Sequence, residues 1–297
     1  MLERQVIRLS RWFLAAGTNS VRTSGVDEFV ALLRDQQRKS EGRGILTCDN
    51  HISVLDEPLL WATLPKILFQ DTYTTRWSLG ASDILFKNAY VLSIDFSLLS
   101  SFFSKGQTLE TLRGNGIFQP ALDRAIDLLN DTNWVHLFPE GAVNLTRSTY
   151  MRRFKWGISR LFLEPKVMPI VVPIWLTGFD QIMPEHRRAP RILPRLGANL
   201  TVSFGRPIPD NVLRPYFESN TRLSTMNEEN LIGSLPELPD SIPSDHLYPG
   251  IQASLHPDDN HTYAILRKKN LQNSATKAQS NLAWDLAKRS LHIARIS

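Results

Sequence analysis

The chain has 297 residues, 42% of them hydrophobic, and carries a formal charge of +5 with a pI near 9.4. That length suits one α/β domain or two smaller ones, and the composition is too apolar for a disordered chain and too polar for a protein that crosses a membrane repeatedly. The basic balance favours anionic partners without choosing among phospholipid headgroups, nucleic acid and phosphorylated metabolites, and a single cysteine, Cys48, excludes an intramolecular disulfide and a cysteine-built metal cluster.

Residues 1–43 read as a helical, amphipathic region. Arg4, Arg8 and Arg11 interleave with Leu2, Val6, Leu9, Trp12 and Phe13, a pattern that fits an interfacial helix, a transit peptide or an ordinary surface helix. Val26, Phe29, Val30, Leu32 and Leu33 form a second helical stripe, followed by a polar exit over Gln36–Gly44. Gly44–Cys48 is a short buried strand in which Cys48 is a small core side chain rather than a reactive thiol. A polar turn over Asp49–Pro58 leads into a helix over Leu59–Leu64 that Pro65 stops. Ile67–Phe69 is apolar, and Trp77–Leu79 is a further short element.

The tract 89–103 holds one charge, Asp95, and reads as core or as a patch that dips into a membrane. Leu122, Ala125, Ile126 and Leu129 mark a helix over Gln119–Leu129. Trp134–Phe138 is strand-like and ends at the turn Pro139-Glu140-Gly141. A helix over Phe154–Leu163 and strands over Val167–Leu176 and Leu200–Phe204 follow. The longest apolar run, Val167–Leu176, contains Pro169 and Pro173, and no run reaches the roughly 18 residues of a membrane-spanning helix. Strands separated by helices predict a single α/β domain over 44–220 with a mixed, mostly parallel sheet flanked by helices. Residues 221–261 form a proline-rich, acidic linker. Residues 263–297 are basic, with seven Lys or Arg against Asp285. Ala275, Ala278, Leu282, Leu286 and Ile293 fall near one helical face there, as in a lipid-facing or a solvated terminal helix. Basic residues are not interleaved with aromatics in a nucleic-acid module.

The densest cluster of reactive side chains is Asp49-Asn-His-Ile-Ser-Val-Leu-Asp-Glu-Pro58. It sits between a strand and a helix, where α/β folds place function. His51 and Asp56 are five residues apart and would diverge by about 140° on one helix. They meet only if a turn separates them, with Asp56 in the first turn of the helix. Ser53 and Asp56 have the spacing of a loose capping box. Three readings follow from spacing: a helix cap beside an incidental histidine, a metal site of His51, Asp56 and Glu57 that lacks a second histidine, or a carboxylate-oriented imidazole base.

Asn50-His51-x-x-x-x-Asp56 resembles the H-x-x-x-x-D motif of the glycerolipid acyltransferases. Three further blocks occur in that family's order: Gly106–Arg113, Phe138-Pro-Glu-Gly141 and Val171-Val-Pro-Ile-Trp175. Within that superfamily the flanks are similar to the fungal-type tafazzin family, phospholipid–lysophospholipid transacylases that remodel cardiolipin. The carrying residues are Asp56-Glu-Pro58 with Leu-Leu-Trp-Ala-Thr-Leu-Pro65, Arg76-Trp-Ser-Leu-Gly80, Phe102-Phe-Ser-Lys-Gly106, Trp134–Gly141, Arg153–Ile158 and Pro173–Pro184. The resemblance covers residues 45–210. It departs from the family at Asp56-Glu57, where two aspartates are usual, in extra length over 90–99, and in a tail after 220 without the long amphipathic helix.

The resemblance implies a glycerol-3-phosphate acyltransferase-like fold on a membrane surface. It implies His51 as general base, Asp56 as its orienting partner, Arg113 on the phosphodiester, Glu140 shaping the glycerol or headgroup site, and a backbone N–H near His51 or Gly141 as oxyanion donor. No metal and no cofactor are implied. The partners would be phosphatidylcholine, cardiolipin and monolysocardiolipin, used without CoA. The location would be mitochondrial, on the inner or outer membrane facing the intermembrane space. Two other outcomes stay open: an acyl-CoA-dependent lysophospholipid acyltransferase, and a catalytically inactive peripheral membrane protein. His136 is expected to be structural.

Overall fold

A computed structural model describes residues 2–71, 73–82, 106–144, 152, 154–184 and 193–225. The apolar tract at 89–103, Arg153 and the basic tail lie outside the described residues. Seven strands form one sheet: β1 (Thr18–Ser24), β2 (Ile45–Asp49), β3 (Trp77–Ala81), β4 (Thr108–Thr111), β5 (Trp134–Leu137), β6 (Ile170–Thr177) and β7 (Ala198–Phe204). Their order is β1-β7-β6-β2-β5-β3-β4. Only β6 and β7 pair antiparallel, so the sheet is mixed and mostly parallel, as expected. The helices are α1 (Leu2–Gly17), α2 (Val26–Arg34), α3 (Gln36–Ser40), α4 (Asp56–Ala62), α5 (Pro120–Asn130), α6 (Gly157–Leu163) and α7 (Asp210–Thr225). None of the described helices is long and apolar enough to cross a membrane.

Alternation along the central strands sorts the core into two layers. Ile45, Trp134, Val172 and Ile174 face α1, α2 and α4, while Leu46, Val135, Leu137 and Val171 face α5, α6 and α7. On the first face Phe29 stacks on Phe204 at 4.9 Å and meets the Trp134 ring edge-on at 5.0 Å, and Trp61 meets Trp134 edge-on at 5.1 Å. Trp61 and Trp134 are fully buried. Burying a large apolar side chain is worth about 1.5–3 kcal/mol, so this aromatic group fixes how α2 and α4 sit on the sheet. Cys48 is buried against the second face, and burial pushes its thiol up out of the reactive range.

Two sequence expectations are corrected. The helical reading of 1–43 fails at 18–24, which form edge strand β1, parallel to β7. Its sequence, Thr-Asn-Ser-Val-Arg-Thr-Ser, has one apolar residue and so no period-2 signal, and the pairing comes from β7, far away in sequence. Gly25 then turns the chain into α2 at φ 69°, where a Cβ would lie 2.0 Å from the Phe204 carbonyl oxygen. The capping box forms only half. The Asp56 carboxylate accepts from the Ser53 N–H, but Ser53 Oγ accepts from Leu55 rather than from Asp56, and the helix begins at Asp56.

Candidate active site

Strands β2, β3, β4, β5 and β6 are mutually parallel. Their carboxyl ends therefore share one edge, where open α/β sheets bind ligands. His51 leaves the end of β2 and Glu140 the end of β5, and Arg113 follows β4. The turn after β2 delivers the geometry that the five-residue spacing requires. His51 Nδ1 lies 3.0 Å from Asp56 Oδ2, which also accepts the backbone N–H groups of Ile52 at 2.7 Å and Ser53 at 2.8 Å. Asp56 is fully buried and the His51 side chain 20% exposed.

A carboxylate only accepts, so Nδ1 of the neutral imidazole carries the proton and Nε2 is left basic. Burial raises the Asp56 carboxyl above its ordinary range, opposed by its hydrogen bond to His51, the His51 charge and the two backbone donors. The His51 ring lies flat on Phe138, with centroids 4.0 Å apart, and this fixes its second degree of freedom.

The backbone around His51 is tied from three sides. Asn50 donates to the Leu176 carbonyl at 2.9 Å and accepts from the Leu176 N–H at 2.7 Å. Its side chain thus continues the ladder to β6 where the β2 backbone leaves it, one residue past the Asp49–Ile174 pair. Glu140 accepts the His51 N–H on Oε1 at 3.0 Å, and on Oε2 the Arg152 N–H at 2.8 Å and Asn144 Nδ2 at 3.3 Å. The Asn144 N–H donates to the His51 carbonyl at 2.5 Å.

Two site expectations meet a geometry the sequence did not contain. Glu140 is buried, and both its oxygens bind protein donors. The Gly141 N–H donates to the Phe138 carbonyl at 3.0 Å, so the N–H groups of His51 and Gly141 are both engaged within the protein. Gly141 takes φ 68°, the left-handed turn that lets the chain double back after Phe138. Arg113 lies on the exposed loop after β4, three strands from β2 in the sheet order, or about 14 Å at the usual strand spacing. That loop is pinned by Gln119, which holds Leu112 and Gly116, and by Arg160, which donates to the Ile117 carbonyl at 2.8 Å and covers the Phe118 ring. No cluster of three or more His, Cys, Asp or Glu with metal-holding geometry occurs among the described residues.

Sequence reasoning missed the Asn50 clamp, the plate formed by Phe138, and an ion pair of Glu57 with buried Arg76 at 3.1 Å. Phe138 was visible as an aromatic at a strand end. Asn50 stands in the motif beside His51, but its clamping role carried no signal, because its partner is backbone 126 residues away.

Two outcomes are expected. Asn50→Ala should lower the transition temperature and turnover together, because two buried hydrogen bonds are lost and the Leu176 groups are left unpaired. The destabilisation should be about 2–4 kcal/mol by denaturant unfolding. Glu140→Gln keeps the shape but places an amide N–H against backbone donors. It should reduce kcat by roughly 10–100-fold with little change in KM, read in steady-state kinetics.

The Acyltransferase family profile matches residues 31–177. A protein named Taffazin from Dictyostelium discoideum is 38% identical over 208 residues, covering 68% of this chain and 67% of its own length. Tafazzin from Saccharomyces cerevisiae is 37% identical over 242 residues, and the match covers 69% of this chain and 61% of the yeast protein. An N-acylphosphatidylethanolamine synthase from Arabidopsis thaliana is 34% identical, covering 66% of this chain and 66% of its own length. Among solved structures, the 1-acyl-sn-glycerophosphate acyltransferase PlsC from Thermotoga maritima overlays with a TM-score of 0.48 at 16% identity, covering 76% of this chain and 80% of that one. That likeness is too distant to carry an assignment.

Proposed function

The chain belongs to the tafazzin family of acyltransferases, and we propose that it is a CoA-independent phospholipid–lysophospholipid transacylase that remodels cardiolipin acyl chains on a mitochondrial membrane surface. The observation that carries this reading is the His51–Asp56 pair, oriented by a buried carboxylate and open at Nε2. Nε2 takes the proton of a lysophospholipid hydroxyl as its oxygen attacks the acyl carbonyl of a donor phospholipid. The imidazolium formed is stabilised by Asp56. Collapse of the tetrahedral intermediate expels the donor's glycerol oxygen, which takes the proton back from Nε2. The base is restored, and one ester has been exchanged for another. Such an exchange is close to thermoneutral, so no activated thioester is needed to drive it.

Arg113, with its planar, paired donors, is assigned to the phosphodiester. Glu140 and Gly141 are assigned to shaping the turn that faces the headgroup, Glu140 by holding the backbone of His51. Support for a peripheral position comes from α1. Leu9 and Trp12, each 67% exposed, lie one helical turn apart beside exposed Arg8, an arrangement suited to a helix lying in an anionic lipid interface.

The test is acyl exchange from labelled phosphatidylcholine to monolysocardiolipin in liposomes without CoA. Labelled cardiolipin is the expected product. Transfer only when acyl-CoA is supplied would overturn the CoA-independent part of the reading. The Arabidopsis relative favours a second acceptor class, a headgroup amine. Label appearing in N-acylphosphatidylethanolamine when phosphatidylethanolamine is the acceptor would select it.

A further inference from the structure

Behind Phe138 lies a buried acid–base pair that takes no part in the transfer steps. Asp49 ends β2 and His136 sits in β5, both almost wholly excluded from solvent. His136 Nε2 is 3.5 Å from Asp49 Oδ1, and neither atom has a hydrogen-bond partner among the described residues. On the other side of the ring, Nδ1 is 2.9 Å from Thr47 Oγ1, which also accepts the Trp134 indole N–H at 2.8 Å. The Thr47 hydroxyl proton has two acceptors in reach, His136 Nδ1 at 2.9 Å and the Val135 carbonyl at 3.5 Å. Thr47 thus binds one side of the His136 ring, and the other side, Nε2, faces Asp49.

The ring of His136 also touches two elements that set the active-site geometry. It meets Trp61 of α4 edge-on at 4.7 Å and Phe138 edge-on at 5.0 Å, and Phe138 in turn carries the His51 ring. Helix α4 supplies Asp56, and β2 runs from Thr47 through Asp49 into His51. An apolar pair of similar volume would be easier to bury, so packing alone gives no reason for these two residue types. We propose that His136 and Asp49 are positioning residues for His51: the couple holds β2, the Phe138 plate and helix α4 at the spacing that keeps the His51 proton on Nδ1 against Asp56.

Burial disfavours charge on both members of the couple. Burial, reinforced by Asp56 and Glu57 on α4 and Glu140 after β5, pushes the Asp49 carboxyl well above the usual carboxylate range. Burial, with Arg76 and His51 adding to it, holds His136 well below the usual histidine range. Folded Asp49 therefore keeps a proton that the unfolded chain releases. Its contribution to stability is complete below the ordinary carboxylate range and is lost as pH rises from there.

The inference rests on the transacylase reading for its kinetic arm only. The full-length double variant Asp49→Leu/His136→Phe should melt no lower than wild type. It should lose about 10–100-fold in kcat with KM within about twofold, and the ring 15N spectrum of His51 should lose its single Nδ1–H tautomer. Wild-type kcat together with an unchanged tautomer would overturn the proposal. If the double variant does not melt cooperatively, His136→Phe alone, which keeps the ring contacts, carries the same two readouts. Asp49→Asn should flatten the fall of melting temperature with rising pH, and an unchanged slope would overturn the raised Asp49 carboxyl. If wild type transfers no acyl group from any donor, the transacylase reading fails, and the His51 tautomer still decides the positioning claim.

Discussion

Replacing His51 with alanine is expected to abolish acyl transfer while leaving the fold intact. The loss should be on the order of 10³-fold or more, because a positioned general base contributes roughly 10²–10⁴-fold and no second imidazole among the described residues is placed to substitute. The other histidine near the site, His136, is sealed from solvent and cannot reach a lipid hydroxyl. The structural cost is small. The variant gives up one hydrogen bond and the stack on Phe138, and Asp56 keeps the two backbone donors of Ile52 and Ser53. A net loss of about 1–2 kcal/mol follows, within reach of a thermal melt. The check is labelled-chain transfer to monolysocardiolipin alongside a melting curve on the same preparation. A folded His51→Ala protein that transfers at the wild-type rate would remove the base from His51. A folded wild type that binds vesicles and transfers nothing from phospholipid or acyl-CoA would make the chain an inactive membrane protein.

Much of this site was legible because its parts are local. A histidine and an aspartate five apart cannot meet on a helix, so the turn between β2 and α4 was forced by the chemistry assigned to them. The buried strands were legible as short apolar runs, and α5 by its period. What stayed hidden depends on partners distant in sequence. Strand β1 exists through β7, and β4, with the sequence Thr-Leu-Glu-Thr, through β3. Asp49 reads as one more polar turn residue, although the fold buries it at the end of β2, 3.5 Å from His136. Glu140 reads as part of a Pro-Glu-Gly turn. Only the packed structure shows its carboxylate gathering the backbone of His51 and Arg152 with the side chain of Asn144. In each case the identity of the residue was visible and its partner was not.

Asp56→Asn should cost nearly as much activity as loss of the base, for a reason the hydrogen-bond geometry makes specific. Asp56 Oδ2 accepts three donors at 2.7–3.0 Å, while Oδ1 is buried with no partner among the described residues. The asparagine amide has one acceptor, and it must occupy the Oδ2 position to satisfy the two backbone N–H groups. The NH₂ then falls in the Oδ1 position, buried and unpaired. The tautomer of His51 survives, but the negative charge that stabilises the imidazolium is gone, and a drop in kcat of about 10²–10³-fold follows, as for the loss of one preorganised electrostatic stabiliser. Stability should behave differently. Folded Asp56 holds its proton more tightly than an unfolded aspartate, whose ordinary value is 3.8. Its contribution is therefore full at pH values below that and is lost as pH climbs to the raised value. The neutral amide lacks this slope, so at neutral pH the variant avoids the desolvated charge and bears only the unpaired NH₂. Its melting temperature should be near that of wild type at pH 7 and fall below it in acid. A variant that melts far below wild type at pH 7 would mean that Asp56 holds the β2–α4 turn chiefly by its charge. In that case its loss of activity would no longer measure catalysis.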